Sequence, residues 1–151
     1  MGDTSRALGI GSSLVFNGKT YQVAPLTIDG RAYFETWLER RALAAVNRVN
    51  YDDEAEKSSD KAAVYRDIAS GVYSFGSSAF VKAAKSLPGQ KQLLYLMMEA
   101  GNPGNGDVDE HLVDKIFEEA LEEAMEAMGA AEAEDPNSKA PPAVAAGNSG
   151  A

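Results

Sequence analysis

Leu14-Val15-Phe16-Asn17-Gly18-Lys19-Thr20-Tyr21-Gln22-Val23 is the stretch from which the fold can be read. Two short apolar runs flank Asn-Gly, the pair that best tolerates positive φ at both central positions of a type I′ turn, so the segment reads as a tight β-hairpin. The turn sets the register. Phe16 faces Lys19 and Leu14 faces Tyr21, which puts Leu14, Phe16, Tyr21 and Val23 on one face and Ser13, Val15, Thr20 and Gln22 on the other. A two-stranded ribbon is marginal in water, so its apolar face needs helices or a partner's sheet against it.

Upstream, residues 1–13 carry Gly2, Gly9, Gly11, Ser12 and Ser13 with little apolar content and read as a flexible leader. Downstream, Pro25 stops the second strand, and Thr27-Ile28-Asp29-Gly30 leads into a helix over about 31–49 with a stripe at Leu38, Ala42, Ala45 and Val49, widened by Phe34 and Trp37. Arg40, Arg41 and Arg48 lie off that stripe and read as a solvated cationic face. The polar run from Asn50 to Lys61 reads as a loop in its first half. A helix through Tyr65, Ile68 and Val72 fades into Ser74-Phe75-Gly76-Ser77-Ser78, where a serine can cap a short helix bearing Phe80, Val81 and Ala84. Leu87-Pro88-Gly89 reads as a break.

Gln90 to Ala100 contains Leu93-Leu94-Tyr95-Leu96-Met97-Met98, apolar around most of the helix, which predicts burial at the centre of the fold. After the Asn102-Pro103-Gly104-Asn105-Gly106 loop, Asp107 and Glu110 form a capping pair for one last helix. That helix carries Leu112, Ile116, Phe117, Leu121, Ala124 and Met128 on one side and Glu118, Glu119, Glu122, Glu123 and Glu126 on the rest. Residues 129–151 are dominated by Ala, Gly, Pro, Ser, Asn and acidic residues and read as a disordered acidic tail, since they have too little to bury to offset ordering entropy. The fold class is mainly α: an N-terminal hairpin and four or five helices in a small bundle, making one domain over 14–128.

The 151-residue chain holds 14 Lys and Arg against 23 Asp and Glu. Residues 101–151 hold 2 basic and 12 acidic groups, so the negative charge is local. Phosphate and anionic lipid surfaces call for clustered cations, which argues against nucleic acid or membrane as a partner. No cysteine is present and His111 is the sole histidine, which removes thiolate chemistry and the His/Cys metal centres. Asn105 to Asp109 looks like the start of a calcium loop, but Glu110 stands where Gly is needed and Ile116 where the bidentate Glu belongs. Gly9 to Ser13 lacks the P-loop lysine and precedes a strand. His111 sits in a helix's first turn with no nucleophile placed beside it. These readings leave no catalytic, metal-binding or cofactor-binding residue. Binding surface remains: Phe16, Tyr21, Trp37, Met97, Met98 and Phe117 are the candidate partner contacts, through the hairpin face, its open edges and adaptable methionines.

Leu14 to Thr27, with its hairpin and Pro25-Leu26-Thr27 step before an amphipathic helix, resembles the opening of tailed-phage tail assembly chaperones. Leu93 to Pro103 and the helix with Val108, Leu112, Val113 and Ile116 are similar to that family's apolar helix, Asn-Pro loop and following helix. The resemblance covers most of 14–128. It implies a non-enzymatic bacteriophage morphogenesis factor, without cofactor, that binds the tape measure protein in the host cytoplasm, keeps it soluble and helps recruit the tail tube protein. Self-association and a longer frameshifted product are open. Two rival readings stand beside it: a small virion structural adaptor that uses the hairpin and helices for subunit contacts, and an acidic nucleic-acid mimic built on the Glu face of the last helix.

Overall fold

Asn17 and Gly18 both take positive φ, 49° and 78°, so the hairpin closes through the type I′ turn that its sequence requires. The computed structural model describes residues 11–133. Strands β1 (Ser12–Phe16) and β2 (Lys19–Val23) pair antiparallel with Phe16 opposite Lys19 and Leu14 opposite Tyr21, as the turn dictates. Six helices follow among the described residues: α1 (Ile28–Arg48), α2 (Glu54–Ala69), α3 (Ser78–Lys85), α4 (Leu87–Gly101), α5 (Glu110–Glu119) and α6 (Leu121–Ala133). The protein is mainly helical with an N-terminal hairpin. The described residues fall into two compact units, one made of 11–27 with 94–133, the other of Ile28 to Leu93.

In the first unit the hairpin's apolar face is fully used. Leu14, Phe16, Tyr21 and Val23 are buried, whereas Val15 on the opposite face is 62% exposed. They share the interior with Leu94, Met97 and Met98 of α4, Val113, Ile116 and Phe117 of α5, and the small residues Ala124, Ala127 and Ala131 of α6. Polar bonds tie the hairpin to the helices at two places. Ser12 Oγ donates to the Ala127 carbonyl at 2.6 Å. At the other strand, the Asn102 side chain accepts from Gln22 N–H (3.1 Å) and donates to Gln22 O (2.8 Å) and to Met98 O (2.7 Å), while Ala24 N–H donates to Met97 O (3.1 Å). Gly101 permits this approach, because a Cβ there would clash with the Gln22 carbonyl oxygen.

Several sequence expectations shift. Ser12 and Ser13 belong to β1, so the leader ends earlier than residue 13, and residues 1–10 lie outside the described residues. The final helix is broken at Ala120 (φ −143°, ψ 41°) into α5 and α6, with no Gly or Pro to announce it. Its cap is Asp109, which accepts from Leu112 N–H at 2.7 Å, and not Asp107, which is held instead by Lys19 (3.0 Å) and by its own N–H bonding to Asn105 Oδ1. Val108 and Val113 are both buried at the N′ and N4 positions of a hydrophobic staple around that cap. Helix α6 runs past Gly129 to Ala133 and buries Ala131 completely, so 129–133 are helical and only 134–151 of the expected tail lie outside the described residues.

The second unit is built on α1. Its buried stripe is Gly30, Phe34, Leu38 and Val46, and not Ala45 and Val49: an i+4 ladder begun at Phe34 reaches Val46, leaving Val49 52% exposed beyond the helix end. Helix α2 begins at Glu54, capped by Asp53, earlier than the polar run suggested. It ends at Ala69, short of Val72. Ser77 caps α3 by accepting from Phe80 N–H (3.1 Å). The break expected at Leu87-Pro88-Gly89 falls instead at Ser86, and that tripeptide opens α4, where the missing N–H of Pro88 costs nothing in a first turn. Gly89 is needed there because a Cβ would clash with the Ala83 carbonyl.

Two stability outcomes follow. Asn102→Ala removes three hydrogen bonds and strands the outward amide of Gln22, and urea unfolding should show a loss of about 2 kcal/mol. A chain ending at Gly129 should unfold more readily, by about 1 kcal/mol, than one ending at Ala133, because the buried Ala131 goes with the missing turn.

Candidate interaction surfaces

Five of the six residues that the sequence nominates as partner contacts are core. Phe16, Tyr21, Met97, Met98 and Phe117 are each under 8% exposed, so their side chains offer almost no area to a partner while the first unit stays folded. They are drawn inward by the hairpin face and by α4, whose apolar run puts Leu94 and Met98 at 0% and leaves Leu93 half-buried. Trp37 differs. It lies half-buried in the second unit, its ring centroid 5.1 Å from that of Phe34 and its face covered by the Arg41 guanidinium at 4.8 Å.

Around Trp37 the second unit assembles an aromatic cluster that the sequence only half declares. Phe80 packs on Phe34 (4.7 Å) and Phe75 meets Phe80 edge-on (5.1 Å). Phe75 is itself 49% exposed and roofed by Arg31 at 4.1 Å, while Glu35 accepts from its backbone N–H at 2.6 Å. The Arg41–Trp37 pair was readable as an i, i+4 spacing. The Glu35–Phe75 bond, 40 residues apart, was not.

Burial is unevenly shared between the units. Among its larger apolar side chains the second unit buries Phe34, Leu38, Val46 and Phe80, but exposes Ile28, Tyr33, Val49, Tyr65, Val72, Phe75, Val81 and Leu87. Helix α2 buries no residue at all. In the first unit only Val15, Leu121 and Met125 are exposed large apolar residues among those described. Charge is uneven too. The second unit is nearly neutral, with ten basic and nine acidic residues, whereas the described part of the first sets Lys19 and Lys115 against eleven carboxylates.

His111 is exposed in the first turn of α5. Among the described residues no group of three or more His, Asp or Glu is placed to hold a metal ion, and no helix is long and apolar enough to cross a membrane. Two tyrosine hydroxyls are held by carboxylates. The Tyr51 hydroxyl donates to Asp60 at 2.7 Å, and the Tyr95 hydroxyl to Glu99 at 2.6 Å. Each bond to a carboxylate holds the phenol proton, and both groups are pushed up to about 12. No family model, curated protein or solved structure matches this chain.

The raised phenols give a pH signature. A folded-state value above the unfolded one means that the contribution to stability is complete below pH 10 and is lost as the pH climbs toward 12. In a phenolate absorbance titration, Asp60→Ala should return Tyr51 toward its ordinary range and leave Tyr95 unmoved. Equal midpoints in the variant and the parent would remove Asp60 as the cause.

Proposed function

We propose that the protein works by binding and not by turnover, as a tail assembly chaperone that engages a phage tape measure protein, keeps it soluble in the host cytoplasm and brings it to the tail tube protein. The observation that carries this reading is the second unit's surplus of exposed apolar side chains over buried ones, with a whole helix, α2, none of whose residues is more than half-buried. A long amphipathic partner helix has the complementary need, since its apolar stripe is insoluble until covered. The strong acidity of the first unit adds a solubilising charge to such a complex. The resemblance of the hairpin, the Pro25-Leu26-Thr27 step and the α4–α5 region to tail assembly chaperones supplies the choice of partner.

Coexpression with a tape measure protein should raise the soluble yield of that partner. Val49→Lys combined with Tyr65→Lys should abolish the gain while moving stability by no more than about 0.5 kcal/mol per site, because both side chains are already more than half exposed. Circular dichroism of the double variant separates lost binding from lost folding. Stoichiometric recovery of the protein from purified mature virions would instead make it a structural adaptor.

A further inference from the structure

A hairpin has two outer edges, and in this one they are treated differently. In a ladder closed by a two-residue turn the hydrogen-bonded pairs are Phe16 with Lys19, Leu14 with Tyr21 and Ser12 with Val23, so Ser13 and Val15 turn their N–H and C=O groups outward on β1, as Thr20 and Gln22 do on β2. On β2 the outward groups of Gln22 are both taken by the Asn102 side chain. On β1, among the described residues, no hydrogen bond from outside the hairpin reaches Ser13 or Val15. The strand's own sequence does not guard this edge, since Ser12-Ser13-Leu14-Val15-Phe16 contains no charge and no proline.

Beside that edge runs a groove of about 350 Å³, walled by the strand on one side and by Glu123, Glu126, Ala127 and Ala130 of α6 on the other. Ser12 Oγ bonded to the Ala127 carbonyl fixes the helix to the strand at its base. The small residues leave room above it. Its charged lining is wholly acidic, and of the two lysines described in this unit Lys19 is already paired with Asp107.

We propose that the outer edge of β1 is a docking site for an extended, lysine- or arginine-bearing segment of a partner protein. The segment adds as a third strand, with backbone bonds to Ser13 and Val15 and its basic side chains over Glu123 and Glu126. Backbone pairing supplies the affinity and the two carboxylates select the charge. The site lies wholly within the first unit, so it stands or falls independently of the apolar surface of the second.

The test uses the full chain and a fluorescein-labelled peptide of alternating Thr and Lys, with an alternating Thr and Glu peptide as control, followed by anisotropy. The Lys peptide should bind, the Glu peptide should not, and high salt should weaken binding about tenfold. Val15→Pro deletes an outward N–H without touching the hairpin's own ladder and should weaken binding by at least about tenfold. Methylating alternate amides of the peptide removes the same bonds with the protein unaltered, and the same loss is expected. E123Q/E126Q, at two exposed positions, should lower affinity for the Lys peptide at least about fivefold. Absence of binding, equal binding of the two peptides, or full binding of the methylated peptide would each overturn the proposal, the last by reducing the contact to charge alone.

Discussion

The side-chain amide of Asn102 does for β2 what a third strand would do. A side-chain amide presents one acceptor and one donor on the same side, as a single strand residue presents its N–H and C=O, so it meets both the N–H and the C=O of Gln22, and its second donor hydrogen reaches back to the carbonyl of Met98. A lone hairpin cannot hold itself in water. Here the Asn102 contact fixes the ribbon to the end of α4, Gly101 allows the two backbones to come close enough, and the apolar face is buried in the same unit as Met97, Ile116 and Val113. The first unit's interior depends on that joint, because a one-residue slip of β2 would turn Tyr21 and Val23 to the solvent.

The two units answer the burial problem in opposite ways. In the first, apolar residues are placed where strand alternation and helix periodicity send them, and alanines on α6 let the helix lie against the strand. In the second, one long helix carries a narrow stripe, a compact aromatic cluster closes around Phe34 and Phe80, and α2 stays on the outside with polar and apolar residues intermixed. A helix with only half-buried residues such as Val64 and Ile68 gains less from packing and leans more on its caps, here Asp53 at its start, and on local propensity.

Local chemistry made much of this legible. Asn17-Gly18 gave the turn, its φ angles and the register, and Ser77 and the apolar run of α4 announced a cap and a core. What escaped prediction depended on groups distant in the chain. Asp107 looked like the better cap until Lys19, 88 residues away, held it. The break at Ala120 has no breaker residue, and the buried positions on either side of it, Phe117 and Ala124, keep helical spacing across it. Five of the six nominated contacts are buried for a simpler reason. Phe16, Tyr21 and Met98 look equally apolar whether they face a partner or their own core, and only the pairing of hairpin with α4–α6 decides which.

In the sequence the second unit interrupts the first, and this has a consequence for synthesis. Gln22 must wait for Asn102, 80 residues later, and Ser12 for Ala127, 115 residues later. Closing such distant contacts is slow compared with forming neighbouring helices, and chains emerge from their N-terminal end at a finite pace. The residues of Ile28–Leu93 are therefore all in hand before α5 and α6 exist, while the hairpin, with Phe16 and Tyr21 uncovered, is still an orphan on the nascent chain. A ribosome paused after Leu93 would hold a protein whose last unit to fold is the one that begins at its start.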